Sequence, residues 1–238
     1  MKKLYDKNEL SFALLWIGIY VVLISAADNF SKSLGVERLL TAPACIALTL
    51  ILYLWLNRYG LKKEYGLCPF EGVPGKYLYF IPLVLLASTN LWGGLQVNLT
   101  PWESVLHVIC MLCVGFLEEI IFRGFLFRAI CRTNVRQAII ISSITFGFGH
   151  IVNLLNGRDI PETLMQICYA AAIGFLFTVL FYRGKSLWPC IITHGVINSL
   201  SAFANKSAMT MQTYLAACVF LCFVSVSYAL YIWEKTKP

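Results

Sequence analysis

Charge is what this chain has least of. Only 13% of its 238 residues are Asp, Glu, Lys or Arg, about half the usual share of a soluble domain. With 59% apolar residues and a mean hydropathy of +0.73, a water-soluble globule is a poor reading. The net charge of +7 rests on 31 charged side chains in all, too few to build a basic face between aromatic stacking platforms. Nucleic acid is therefore not an expected partner. The sequence also has no internal repeat, no low-complexity tract and no stretch polar enough for a separate soluble domain. A single membrane domain over residues 1–238 is the expectation.

The charges that are present bound long apolar runs. Residues 10 to 27, 39 to 57 and 77 to 102 carry none at all. Further runs cover about 104 to 127, 137 to 155, 163 to 182, 186 to 204 and 209 to 233, each near the ~20 residues that cross a bilayer core as a helix. The expected fold is all-α, a polytopic membrane helix bundle of about eight spans. With the N-terminus inside, the cytoplasmic ends collect Lys2, Lys3, Lys7, Arg58, Lys62, Lys63, Lys76, Arg128, Arg132, Arg136, Arg183, Lys185, Lys235 and Lys237. The outer ends keep only Lys32, Arg38, Arg158 and Lys206. That bias predicts both termini in the cytoplasm.

Residues 1 to 27 have three lysines ahead of an apolar run ending in Ser25, Ala26 and Ala27, as a signal peptide would. The run is long for that role, and removing it spoils the charge sorting, so it is read as an uncleaved first helix. Residues 57 to 76, with Gly60, Gly66, Pro69, Gly72, Pro74 and Gly75, are expected to form a cytoplasmic loop. Nine cysteines lie mostly in apolar runs. The pair Cys110 and Cys113 lacks a neighbouring βαβ pattern, so it reads as core rather than as a redox or zinc motif.

Against this background, ionisable residues inside the spans stand out. The fourth span carries Glu118, Glu119 and Arg123, the fifth His150 and the seventh His194. A charged side chain at mid-membrane costs about 2.5–3.5 kcal/mol, so these groups need partners and a use. Glu119 and Arg123 are four apart, with the acid on the N-terminal side, the favourable order for an ion pair. Glu118 lies about 100° around the helix from Glu119 and can face another helix, which makes it a candidate general base. Depth counted from the cytoplasmic edges places Glu118, His150, His194 and Asn198 roughly 12–20 Å into the membrane, in one layer. His194 and Asn198 share a helix face and can converge on one substrate atom. Gly147 and Gly149 next to His150 allow a close approach of another backbone. His107, near the outer end of its span, reads as interfacial.

Three motifs follow in order on three helices: Glu118-Glu119-x-x-x-Arg123 with Gly124, Phe146-x-x-x-His150, and His194-x-x-x-Asn198. Together they resemble the CPBP family of CAAX proteases and bacteriocin-processing enzymes, also called the Abi family. The resemblance covers residues 118 to 198, within a motif-bearing core of about 104–204. It implies an intramembrane endopeptidase of the type II CAAX prenyl endopeptidase kind. By position it implies that Glu118 and His150 activate water, that His194 and Asn198 stabilise the oxyanion, and that Glu119 and Arg123 support the site. The family carries a metalloprotease label, and Glu118, His150 and His194 could ligate Zn²⁺. H-E-x-x-H is absent, however, and water activation by Glu118 and His150 needs no ion, so a metal-free, glutamate-dependent protease is favoured.

The implied partners are a peptide or protein substrate and the lipid bilayer. Eukaryotic relatives act on prenylated CAAX proteins, while bacterial ones are linked to peptide maturation, bacteriocin self-immunity and signalling. The short chain without a targeting extension suggests a bacterial plasma-membrane member. Two other classes compete. One is a non-catalytic immunity or scaffold protein that binds a bacteriocin or a membrane partner, against which the intact motifs count. The other is a proton-coupled transporter, for which no inverted repeat or pair of broken helices is evident.

Overall fold

The computed structural model describes residues 1–236, so Lys237, assigned above to the cytoplasmic side, lies outside the described residues. Eleven α-helices follow one another among the described residues: α1 Lys2–Lys7, α2 Glu9–Ser33, α3 Thr41–Arg58, α4 Ile81–Ser88, α5 Pro101–Glu118, α6 Phe127–Cys131, α7 Val135–Gly149, α8 Val152–Leu155, α9 Ile160–Gly184, α10 Trp188–Leu200 and α11 Met211–Lys235. Residues Glu119–Leu126, between α5 and α6, wind as a π-helix without breaking the rod. No strand occurs among the described residues, where an isolated bridge joins Leu95 and Ala204.

The boundaries have local causes. Asn8 caps α2 by accepting a hydrogen bond from the Ser11 amide, and Asn134 does the same for α7 through Gln137. At α5, Thr100 and Glu103 form a reciprocal capping box with Pro101 in the first turn. Glu103 also accepts the Glu37 amide, tying the α2–α3 connection to the start of α5.

Unlike a soluble bundle, this one is apolar on its surface as well as in its core. Leu14, Val22, Leu54, Ile140, Leu164, Val219 and Phe223 point outward and are exposed, as suits a lipid surface. Six stretches are long and apolar enough to cross a membrane: 9–33, 41–58, 101–131, 135–155, 160–184 and 211–235. All eight apolar runs contain helix, but two fall short of a full span. Within the run 77 to 102, α4 has 3₁₀ turns on both sides, and the backbone is irregular from Trp92 until α5 begins at Pro101. The run 186 to 204 contributes the 13 residues of α10. At the end of α10, Asn90 bonds the Ile197 carbonyl and His107 and Ser201 that of Asn198, satisfying backbone groups as chain at membrane depth requires. Residues 59 to 73 form no regular helix, as their glycine and proline content predicts.

The helices that matter for function approach closely. A Cβ on Gly115 of α5 would lie 2.7 Å from the Gly195 amide of α10, so these two helices touch backbone to backbone. Gly147 likewise sits against Ile167 and Ala171 of α9.

Candidate active site

The π segment sets up the site. It follows directly on Glu118, and its wider winding keeps Glu119 and Arg123 on one face, where both side chains are fully buried. Arg123 Nη1 donates to Glu119 Oε1 at 3.1 Å. The guanidinium lies 3.9 Å from the Phe146 ring centroid, over its face, and 5.8 Å from that of Phe177. Gly174 of α9 makes room, since a Cβ there would stand 3.0 Å from Arg123 Nη2.

His194, from α10, meets both carboxylates. Its Nδ1 is 2.8 Å from Glu119 Oε1, the oxygen that also accepts from Arg123. Its Nε2 is 3.5 Å from Glu118 Oε2, at the limit of direct hydrogen bonding. The two carboxylates therefore differ. Glu119 is enclosed by Arg123 and His194, whereas the Glu118 side chain keeps 14% of its surface exposed. Glu118 Oε1 accepts a 2.6 Å hydrogen bond from Tyr20, on α2.

His150 stands where α7 ends. Its Nδ1 is 3.1 Å from the Phe146 carbonyl, which can only accept, so Nδ1 carries the proton and the neutral ring's Nε2 is an acceptor. Phe146 joins the groups: its ring meets His150 edge-on at 5.2 Å and His194 at 5.7 Å between centroids. Asn198 lies one turn beyond His194, half-buried, and its carboxamide makes no hydrogen bond among the described residues. The C-terminal end of α10 is nonetheless held. Asn90 donates to the Ile197 carbonyl at 2.7 Å, and Ser201 donates to that of Asn198 at 2.7 Å.

His107, near the outer end of its span, has partners on α10 and just beyond it. It is buried inside the bundle, with Nε2 3.3 Å from the Asn198 carbonyl and 3.2 Å from Ser201 Oγ. The reason is the short α10, whose end falls beside α5 within the bundle and offers carbonyls that a histidine can satisfy. Cys110 donates to Cys45 of α3 at 3.6 Å, and both are free thiols. Tyr20 carried no motif signal. Its one clue was a hydroxyl inside an apolar run, which needs a partner once buried.

Of Glu118, His150 and His194, the set that could ligate Zn²⁺, the structure brings Glu118 Oε2 and His194 Nε2 to within 3.5 Å of each other. Among the described residues no three His, Cys, Asp or Glu side chains form a metal-holding group.

Comparison with known proteins gives the same direction. Residues 100–200 match the family described as Type II CAAX prenyl endopeptidase Rce1-like. The chain is 28% identical over 191 residues to the "Putative membrane peptidase YdiL" of Bacillus subtilis (strain 168), with 72% of each chain covered. No solved structure matches. The segment that brings the three motifs together, in a multi-pass helical membrane protein, thus has the pattern of the Rce1-like CAAX proteases, a family of membrane endopeptidases.

Proposed function

We propose that this protein is an intramembrane endopeptidase that hydrolyses a peptide bond of a membrane-associated peptide or protein, with water activated by Glu118 and His150. The observation that carries this reading is the asymmetry of the glutamate pair. Glu119 is enclosed between Arg123 and His194, while Glu118 keeps exposed surface and an oxygen 3.5 Å from His194 Nε2.

Water held by Glu118 and the free Nε2 of His150 attacks the scissile carbonyl. Its proton passes to the Glu118–His150 pair and then to the leaving amine. The carbonyl oxygen, now negative, is bound by the uncommitted carboxamide of Asn198 and by His194 in the form that carries a proton on Nε2 as well as the Nδ1–H given to Glu119. Glu119 and Arg123 do not touch the substrate; they orient His194 through the 2.8 Å contact. No step passes through a metal. Elemental analysis of active, chelator-washed protein checks this: activity without stoichiometric zinc is expected, and joint loss of zinc and activity overturns it.

The side-chain pairs also support the expected sidedness. Arg132 reaches Glu9 at 2.7 Å and Glu64 at 3.1 Å, and Arg183 donates to the Trp233 carbonyl, so groups assigned to the cytoplasmic side share one end. The reading is a bacterial plasma-membrane enzyme with both termini inside.

The deciding experiment compares membrane and secreted peptides from cells carrying wild type, Glu118→Ala, Asn198→Ala or a deletion. Glu118→Ala is expected to match the deletion and accumulate an uncut precursor. Asn198→Ala is expected to retain trace turnover, lower by about 10²–10³-fold, the usual cost of one oxyanion donor. A Glu118→Ala strain that matches wild type while the deletion differs would point to binding rather than catalysis.

A further inference from the structure

Helix α2 lies outside residues 100–200 and carries none of the motif residues, yet it reaches the site in two places. Phe12 packs edge-on against Phe125 of the π segment at 5.0 Å. Tyr20, almost fully buried, places its hydroxyl 2.6 Å from Glu118 Oε1. The two oxygens of Glu118 thereby become inequivalent: Oε1 is held by the phenol, and Oε2 faces the 3.5 Å gap to His194.

We infer that Tyr20 is a positioning residue for the reaction, fixing the Glu118 carboxylate so that Oε2 is presented to the attacking water. The inference rests on the role proposed for Glu118. A carboxylate at the end of a flexible side chain has several rotamers, and only a fraction point one oxygen at a given spot. A short hydrogen bond from a residue on a separate, rigid helix selects one of them, and holding reacting groups in register is a large part of catalysis. The competing account is that Glu118 merely satisfies a buried tyrosine hydroxyl. The two differ in turnover and in dependence on Glu118.

The test uses the full chain in liposomes, given a farnesylated CAAX peptide together with peptides extracted from bacterial membranes, with products read by mass spectrometry. Products formed by wild type and absent with Glu118→Ala define the substrate for kinetics. Tyr20→Phe is expected to lower kcat by about 10- to 100-fold, the scale of a lost hydrogen bond to a charged group, with KM little changed and unfolding in detergent unaltered. In a Glu118→Asp background, where the carboxylate is withdrawn from Tyr20, the same change is expected to cost little, because the pair no longer couples. Should Tyr20→Phe not fold, 4-aminophenylalanine and 4-methylphenylalanine at position 20 make the comparison, with similar para groups that do and do not donate. Unchanged kcat in folded Tyr20→Phe, or an equal cost in both backgrounds, overturns the inference and leaves the role of Glu118 standing. No product specific to wild type over Glu118→Ala removes the protease reading, and this inference with it.

Discussion

At the scale of single residues, the buried pair of Glu119 and Arg123 illustrates how a membrane core tolerates charge. Both side chains are fully buried, and the guanidinium spreads its charge over the carboxylate and the Phe146 face. Removing one partner of such a pair leaves the other uncompensated, which typically costs about 3–5 kcal/mol. Arg123→Ala is accordingly expected to destabilise by that amount, read as thermal unfolding in detergent. Arg123→Lys should recover only part of it, because an ammonium lacks the planar fork that serves Glu119 and Phe146 together. A fully stable Arg123→Ala would show that the pair is not what holds the site. The pairing was legible in the sequence, since acid and base four apart on one helix have few other options. The bridging by His194 was not, because it depends on where α10 lies relative to α5.

At the scale of elements, the contact of Gly115 with Gly195 decides that placement. The helices come so near that a side chain at Gly115 meets the backbone of Gly195 and Ile191, which cannot move aside as a flexible side chain would. Gly115→Leu should push α10 outward, draw His194 away from Glu118 and Glu119, and reduce turnover at least as far as losing one donor does, by about 10²-fold or more. Peptide cleavage by the reconstituted variant checks this; near-normal turnover would mean that α10 tolerates displacement. The apolar runs identified the helices, and in two of them the helix is shorter than the run. Composition marks a run as apolar but cannot tell how much of it winds as helix and how much is irregular backbone held by its neighbours. The difference lies in which groups satisfy the free carbonyls, here Asn90 and His107 at the end of α10.

At the scale of the whole molecule, ion pairs and hydrogen bonds between elements gather at the helix ends. Glu9, Glu64 and Arg132 meet at one end, while Asn29 meets Asn156 at 3.5 Å and Glu37 meets Glu103 at the other. The excess of Lys and Arg belongs to the first end, which the positive-inside bias assigns to the cytoplasm. An alkaline phosphatase domain inserted after Arg158 is therefore expected to be active and one after Arg132 inactive, with a fluorescent C-terminal fusion. The opposite pattern would invert the topology and with it the leaflet from which substrate enters.

By itself, the sequence determined that this is a helical membrane protein, which residues in its core are chemically expensive, and which family its motifs resemble. These properties follow from local spacing and from the cost of charge in hydrocarbon, and both are written along the chain. Only the tertiary structure decided that His194 serves two carboxylates at once, that His107 is buried against α10, and that Tyr20, 98 residues from Glu118, supplies its hydrogen bond. Contacts between helices depend on crossing geometry and on where backbones can touch, and neither is encoded in the period of any single helix.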